Sequence, residues 1–149
     1  MNKTTNQLLI IFGASGDLTA RKLIPAIYNL YKGKHLPDNF VVLGASRSAI
    51  TDGEFRRKVV QESTYLEERI NKEDKDFVSA FSDKLFYEDL GDDYDTDYDR
   101  LSKRISDLNS KYSTDNNYIF YLSTPPSLYE AIAKNLSDKG LTNEDKGWK

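Results

Sequence analysis

Leu8-Leu9-Ile10-Ile11-Phe12 runs directly into Gly13-Ala14-Ser15-Gly16-Asp17-Leu18, and this stretch decides the fold of the chain. The first segment is a continuous apolar run rich in β-branched and aromatic residues, which is typical of a strand buried on both faces. Two glycines follow it, and a helical pattern begins near Leu18. We therefore predict a strand, a tight glycine turn and a helix, an arrangement that binds phosphate where the helix begins.

The two glycines have separate predicted roles. Gly13 lets the chain turn sharply, and Gly16 leaves room for a phosphate at a place where a Cβ would collide with it. Their spacing is G-x-x-G-D-L instead of the common dinucleotide fingerprint G-x-G-x-x-G, with Thr19 or Ala20 at the third small position. A glycine pair after a strand can also serve only to turn the chain, so the pair alone leaves both interpretations open.

Size and composition exclude several classes of function. The 149 residues have the length of one domain with a proper core. A net charge of −3 gives no general affinity for nucleic acid or an anionic membrane. The absence of cysteine excludes disulfides, thiolate nucleophiles and cysteine metal sites, and fits a reducing compartment. No apolar run could span a bilayer and no signal-peptide pattern is present, so we expect a cytoplasmic protein.

The remaining chain alternates between strand and helix patterns. Further strands are predicted at Phe40–Leu43, Lys84–Leu90 and Asn117–Leu122. Helical patterns run from Leu18 to about Lys32, from Thr51 or Asp52 to Val60, from Ser63 to Lys84, from Tyr98 to Tyr112 and from Ser127 to Gly140. This rhythm predicts a doubly wound α/β fold with a parallel, Rossmann-type sheet of about four strands.

Three local features refine this prediction. Pro25 should bend or break the first helix in its first turns, because proline has no N–H to donate. Thr51 or Asp52 should cap the second helix, with Glu54 in its first turn. The last residues, from Leu141 on, are polar and irregular, with Trp148 exposed.

The end of the second strand selects the cofactor in a dinucleotide fold, where an acidic residue would accept a hydrogen bond from a free ribose 2′-hydroxyl. Ser46 and Arg47 stand there, and no carboxylate precedes Asp52. A guanidinium offers a planar fork to a phosphate, and the serine adds a hydroxyl donor. These residues favour a 2′-phosphorylated cofactor; the alternative is that Arg47 is an ordinary surface arginine.

No residue stands out as a general base or a metal ligand. His35 is the only histidine and lies in a predicted loop, where a surface position is the usual outcome. Lys22 lies near the phosphate end of the first helix and could reach a phosphate or a substrate. The acidic run from Asp92 to Asp99 fails as a calcium loop, because Tyr98 and Arg104 stand where glycine and glutamate are needed.

Together these motifs resemble the N-terminal coenzyme domain of the glucose-6-phosphate dehydrogenase family. The matching segments follow one another through most of the chain and are Phe12–Leu18, Arg21–Ala26 with Asn29–Tyr31, Gly44–Arg47, Asp52 with Glu54-Phe55, and Phe120–Tyr129. The family has alanine where this chain has Thr19, which is a small change at a helix–strand contact.

The resemblance implies NADP as the cofactor. The turn from Gly13 to Lys22 would bind its pyrophosphate, Lys22 would also reach toward the sugar phosphate of the substrate, and Arg47 would bind the 2′-phosphate. Asp89-Leu90 would line the adenosine side, and Pro125 to Tyr129 would flank the nicotinamide. The full set of expected cofactor-binding residues is Gly13, Ala14, Ser15, Gly16, Asp17, Leu18, Lys22, Ser46, Arg47, Asp89, Leu90, Pro125 and Tyr129.

The family transfers hydride from C1 of glucose 6-phosphate to NADP and gives 6-phosphogluconolactone, in the oxidative pentose phosphate pathway. Its fifth strand, its aspartate–histidine pair and a large β+α domain follow the position of Lys149. Residues 1–149 are therefore expected to be an incomplete dinucleotide-binding domain that contains no catalytic residue and binds NADP without turnover. The parent enzyme is expected to be a homo-oligomer.

Two further expectations concern partners and alternatives. Truncation would leave one edge of the strand at 117–122 open, and such an edge favours self-association by strand addition. A non-catalytic dinucleotide sensor is the main alternative function. A flavodoxin-like signalling domain without cofactor is a third, although the acidic pocket of a phosphoacceptor is missing because Asp17 stands alone after the first strand.

Overall fold

The computed structural model describes residues 3–91 and 98–149 and places a four-stranded parallel sheet at its centre. The strands are β1 Gln7–Phe12, β2 Phe40–Ser46, β3 Leu85–Asp89 and β4 Tyr118–Leu122. Their spatial order is β3-β2-β1-β4, so the order reverses between β1 and β4. This confirms the predicted parallel α/β sheet of four strands.

Helices pack on both faces of the sheet. In the described part of the chain they are α1 Ile24–Lys32, α2 Asp52–Arg56, α3 Glu67–Ile70, α4 Lys75–Ser82, α5 Tyr98–Tyr112 and α6 Tyr129–Asp138. A π-helical turn, Thr19–Leu23, precedes α1, another, Arg57–Gln61, follows α2, and a 3₁₀ turn, Pro126–Leu128, precedes α6. Residues 92–97 of the acidic run lie outside the described residues.

β1 is buried on both faces because its side chains alternate between two cores. Leu8, Ile10 and Phe12 belong to a core that α5 and α6 cover. Ile11 belongs to the opposite core, which α1, α2 and α4 cover. Full burial of one such side chain contributes about 1.5–3 kcal/mol. The carboxyl end of β1 is thus fixed from both sides at the point where the chain turns into Gly13.

The first helix is irregular where the sequence predicted a break. Pro25 lies in the first turn of α1, and the π-helical turn Thr19–Leu23 comes directly before it. Because proline cannot donate the regular backbone hydrogen bond, the wider turn is accommodated immediately upstream of it. The next helix begins as expected, with Thr51 as its cap in a reciprocal capping box with Glu54.

The prediction of one helix from Ser63 to Lys84 is wrong. The structure has two helices there, α3 and α4, and Asp74 lies between them in an extended conformation. Its carboxylate accepts a hydrogen bond from the Asp76 N–H at 2.7 Å and so caps α4. The apolar residues keep a helical period across the interruption, so the periodicity did not reveal a cap inside the run.

β2 continues to Ser46, three residues past the predicted end at Leu43. A Cβ at Gly44 would come within 2.6 Å of the Ala14 Cβ and 3.1 Å of the Phe55 ring. Gly44 is therefore not a turn glycine. It allows the strand to pass close to the segment after β1, and the extra residues carry Ser46 to the carboxyl edge of the sheet.

β4 is an edge strand, as the sequence predicted, but its edge is not open along its whole length. The Tyr118 N–H donates to the Trp148 carbonyl at 3.0 Å, so the last residues cover the first position of the edge. The Trp148 N–H in turn donates to the Asn117 side chain. The Trp148 side chain is 37% exposed, as expected. Self-association through the remainder of this edge stays a prediction.

Candidate functional site

A cleft of about 350 Å³ opens at the carboxyl ends of β1, β2 and β4. It lies where the strand order reverses between β1 and β4, the position at which open α/β sheets bind ligands. Its wall is rich in glycine and hydroxyl residues and consists of Gly13, Ser15, Gly16, Ser46, Arg47, Ser48, Ser123, Thr124, Pro125, Ser127 and Leu128. The segments after β1, β2 and β4 thus converge on one cleft.

The turn after β1 requires glycine at position 13. Gly13 has a φ of +81°, and a Cβ there would lie 2.1 Å from the Ser123 carbonyl oxygen. The Gly13 N–H donates to the Ala45 carbonyl at 2.8 Å, and the Ser123 N–H donates to the Phe12 carbonyl at 2.9 Å. The turn is therefore wedged between the ends of β2 and β4, and the predicted sharp bend at Gly13 is confirmed.

The inner hydrogen bonds of the turn leave its outer surface accessible. The Gly16 N–H donates back to the Gly13 carbonyl at 3.0 Å, and the buried Thr19 hydroxyl lies 3.5 Å from the same oxygen. The Ser15 N–H makes no hydrogen bond to an acceptor in residues 3–91 or 98–149. The chain is helical from residue 17, and the first N–H groups of a helix lack intrahelical acceptors. These donors suit an anionic ligand.

Three serine hydroxyls meet beside this turn. The Ser15 and Ser46 hydroxyl oxygens lie 2.7 Å apart, and the Ser48 hydroxyl donates to that of Ser15 at 3.2 Å. Ser46 is nearly fully buried, whereas Arg47 is exposed and lines the cleft. The Lys58 ammonium donates to the Ser15 carbonyl at 2.8 Å. Hydroxyl donors and two cationic residues therefore surround one short segment.

Ser48 and Lys58 did not appear among the residues singled out from the sequence. Lys58 lies 43 residues from Ser15, on the π-helical turn after α2. In the sequence it is one of many lysines and arginines, and no local spacing relates it to the glycine turn. Only the packing of α2 against the sheet brings the two together.

The opposite wall of the cleft follows β4. Pro125, predicted for the nicotinamide side, lines it together with Ser123, Thr124 and Ser127. The Thr124 hydroxyl oxygen is buried and has no hydrogen-bond partner within the described part of the chain. A buried hydroxyl without a partner is costly, so this group suits a ligand that supplies one. Tyr129, also predicted for this side, is 42% exposed and lies outside the lining.

Four other predicted residues do not belong to the described lining of the cleft. The exposed Lys22 side chain belongs to the π-helical turn before α1. Asp17 accepts a hydrogen bond from the Arg21 side chain at 2.9 Å, one helical turn later. Leu18 is exposed as well. Ala14 is buried against the Gly44 backbone.

Asp89 and Leu90, predicted for the adenosine side, lie next to Ser46 at the end of β3. The Leu90 N–H donates to the Ser46 carbonyl at 2.8 Å, and the leucine side chain is fully buried in the core. The Asp89 carboxylate accepts a hydrogen bond from the Gly91 N–H at 2.7 Å. Both residues support the end of β2, and neither lines the cleft.

A charged cluster fastens α2 and α5 to the edge strand β3. Arg104 of α5 donates to Asp52 at 2.6 Å and lies 3.4 Å from Glu88. Arg100 pairs with the other Glu88 oxygen at 2.9 Å. Burial raises the pKa of the Glu88 carboxyl, although Arg104 and Arg100 oppose the shift. Desolvation of this carboxylate therefore outweighs its two ion pairs.

We expect Glu88→Gln to gain stability relative to the unmodified chain as the pH rises from about 4 to 7. The folded pKa of Glu88 lies above its unfolded value, so its contribution to stability is fully present below the unfolded pKa. That contribution is lost as the pH rises through the folded pKa, and glutamine does not titrate. Urea unfolding at several pH values measures the difference. Glu62→Gln, at an exposed ion pair with Arg57, is the control. The prediction is contradicted if the unfolding free energy of Glu88→Gln minus that of the unmodified chain decreases as the pH rises.

No helix in the described ranges is both long enough and apolar enough to cross a membrane. This finding covers residues 3–91 and 98–149 only.

Comparisons with known proteins relate this chain to one enzyme family. The family model described as glucose-6-phosphate dehydrogenase, NAD binding domain, matches residues 10–149. Glucose-6-phosphate 1-dehydrogenase of Aggregatibacter actinomycetemcomitans is 44% identical over 147 residues, which are 99% of this chain and 29% of the relative. Glucose-6-phosphate 1-dehydrogenase 6, cytoplasmic, of Arabidopsis thaliana is 34% identical over 143 residues, which are 93% of this chain and 27% of the relative.

A solved structure of glucose-6-phosphate dehydrogenase in complex with its substrate glucose-6-phosphate has the same fold, with a TM-score of 0.79 at 27% identity. The match covers 99% of this chain and 30% of that one, so the chain spans less than a third of the length of these relatives. The matched residues 10–149 include the whole lining of the cleft. The chain belongs to the glucose-6-phosphate dehydrogenase family, and its residues 10–149 match the model of that family's NAD-binding domain.

Proposed function

We propose that the cleft binds NADP, with the diphosphate on the turn from Gly13 to Leu18 and the adenosine 2′-phosphate at Ser15, Ser46 and Arg47. One observation carries this proposal. The glycine turn, the serine hydroxyls and Arg47 converge on one cleft, which lies where the strand order of the sheet reverses between β1 and β4. The family assignment supports dinucleotide binding in general. The choice of NADP over NAD depends on the residues after β2.

The turn suits a diphosphate because its outer face consists of backbone. Gly13 and Gly16 have no side chains that would cover it, and the Ser15 N–H has no protein acceptor within the described residues. The positive end of the helical segment that starts at residue 17 adds a favourable field for an anion. A diphosphate could therefore accept several main-chain hydrogen bonds without displacing any part of the turn.

The end of β2 suits a 2′-phosphate for electrostatic reasons. No carboxylate belongs to the described lining of the cleft, whereas Arg47 does. An Asp or Glu at this point would repel a 2′-phosphate, and an arginine can bind one with two parallel hydrogen bonds. The hydroxyls of Ser15, Ser46 and Ser48 are hydrogen-bonded to one another, so a phosphate there would meet hydroxyl groups whose positions are already fixed.

In the complete enzyme we propose that this domain presents NADP to glucose 6-phosphate, whose C1 hydride the bound NADP accepts. Lys22 would reach toward the sugar phosphate, Asp89 and Leu90 would support the adenosine side, and Pro125 and Tyr129 would flank the nicotinamide. His35 lies just before β2, at the opposite end of the sheet from the cleft. It therefore cannot serve this cleft as a base, and we propose that residues 1–149 bind NADP without turnover. The Arabidopsis relative supports a cytoplasmic location.

The unmodified chain is expected to bind NADPH at least about tenfold more tightly than NADH. One bidentate, charge-assisted contact contributes about 1.5–3 kcal/mol, which corresponds to about 10–150-fold in affinity. Fluorescence titration of both reduced cofactors measures the ratio directly, and adenosine 2′,5′-bisphosphate should displace NADPH better than AMP does. Equal affinities for the two cofactors would overturn the assignment of NADP. Steady NADPH formation from glucose 6-phosphate would refute the expected lack of turnover.

A further inference from the structure

We infer that Tyr87 is a positioning residue that fixes the Arg47 segment and thereby sets the preference for a 2′-phosphorylated cofactor. This inference rests on the proposed NADP site and concerns a residue that does not line the cleft. Tyr87 lies in the middle of β3, the strand next to β2. Its role would be exerted through the backbone of the segment that carries Arg47.

The carbonyl groups on either side of Arg47 are both fixed by β3 and the residue after it. The Ser46 carbonyl accepts a hydrogen bond from the Leu90 N–H at 2.8 Å. The Ser48 carbonyl accepts one from the Tyr87 hydroxyl at 2.7 Å. The first bond uses a main-chain donor that any residue except proline would supply. The second requires a side-chain hydroxyl at the position of the Tyr87 oxygen, and phenylalanine has no hydroxyl.

Burial, ring packing and a main-chain hydrogen bond fix the position of Tyr87 and therefore of its hydroxyl. Its side chain is only 3% exposed, and its ring packs against that of Phe55 with 5.2 Å between the centroids. Its N–H donates to the Asp52 carboxylate at 2.7 Å, which in turn accepts a hydrogen bond from Arg104. Strand, helix α2 and helix α5 therefore all contribute to the position of the hydroxyl.

The segment that Tyr87 contacts also makes local hydrogen bonds, because the Ile50 N–H donates to the same Ser48 carbonyl at 3.1 Å and the Ser48 hydroxyl donates to that of Ser15 at 3.2 Å. The Tyr87 hydroxyl adds the side-chain hydrogen bond that links this segment to β3. Residues 47–49 are exposed and lie between the end of β2 and the Thr51 cap of α2. An arginine on such a segment loses conformational freedom when it binds a phosphate with two hydrogen bonds, which costs affinity. Fixing the Ser48 carbonyl in advance reduces that loss. Only a cofactor that carries a 2′-phosphate would benefit, because NADH offers Arg47 no such group.

Tyr87→Phe tests this inference on the 149-residue chain, with NADPH and NADH as probes. We expect NADPH to bind about three- to tenfold more weakly, the effect of losing one neutral hydrogen bond, and NADH affinity to stay within about twofold. The matched control is Tyr28→Phe, another buried tyrosine, whose hydroxyl has no partner in the described residues. That variant should change neither affinity.

A double-mutant cycle with Arg47→Ala separates positioning from general support of the fold. If Tyr87 acts through Arg47, Tyr87→Phe should no longer weaken NADPH binding in the Arg47→Ala background. Equal losses for NADPH and NADH, or a full loss that persists without Arg47, would overturn the inference, as would unchanged NADPH affinity. If the unmodified chain does not prefer NADPH, the proposed function itself fails. If it does and only Tyr87→Phe has no effect, the inference alone fails.

Discussion

Gly13→Ala is expected to destabilise the chain by about 2–4 kcal/mol and to remove NADPH binding, the largest stability effect we expect from one substitution. Two costs add at this position. The φ of +81° is one that residues with a Cβ rarely adopt, and the new methyl group would lie 2.1 Å from the Ser123 carbonyl oxygen. That oxygen belongs to backbone at the end of β4, so relief requires the turn or the strand end to move. Either movement would distort the proposed diphosphate site.

Two other glycines provide matched controls for these costs. Gly140 has a φ of +71°, but a Cβ there would meet nothing within 4 Å in the described residues, so Gly140→Ala measures backbone strain without a collision. Gly53 lies in α2 with only an ordinary contact, and alanine there should be neutral or stabilise the helix by up to about 1 kcal/mol. Urea unfolding of the three variants, with NADPH titrations, makes the comparison. If Gly13→Ala is as stable as Gly140→Ala, the close approach of Gly13 to the Ser123 carbonyl adds no cost and the prediction is wrong.

The sequence predicted the features that depend on interactions between residues close together in the chain. The five apolar residues from Leu8 to Phe12 indicated a strand buried on both faces, and both cores do cover it. Pro25 indicated the irregular first turns, and Thr51 with Glu54 indicated the capping box. Gly13 indicated the sharp bend because few other residues adopt its φ. Each of these depends on residues within a few positions of each other.

The features that the sequence did not reveal depend on contacts between distant segments. Gly44 resembles the end of a strand in the sequence, but its real constraint is the Ala14 methyl group, thirty positions earlier. Lys58 meets Ser15 only because α2 packs against the sheet, and Tyr87 meets Ser48 only because β3 lies beside β2. The break before α4 was missed for a different reason, since the apolar period continues through it. The sequence pattern therefore predicted where the cleft lies but not the residues that support the segments around it.

Arg47→Ala is expected to weaken NADPH binding by about 1.5–3 kcal/mol, or about 10–150-fold, and to leave NADH binding within about twofold. The guanidinium is the group best suited to the 2′-phosphate in the proposed site, and NADH lacks that phosphate. Arg47→Lys should give an intermediate loss, because an ammonium keeps the charge but cannot form two parallel hydrogen bonds. Any preference for NADPH that remains in Arg47→Ala measures the contribution of Lys58 and the serine hydroxyls beside Ser15.

The matched control for Arg47→Ala is Arg57→Ala, which removes an exposed arginine paired with Glu62 at 3.2 Å on the π-helical turn after α2. Both variants change the net charge equally, so a long-range effect of charge would lower NADPH affinity in both. A direct contact would lower it only in Arg47→Ala, and the loss would shrink less in higher salt than a long-range effect does. Equal losses in the two variants would mean that Arg47 acts as one surface charge among many. A loss that extends to NADH would place Arg47 at a part of the dinucleotide that both cofactors share.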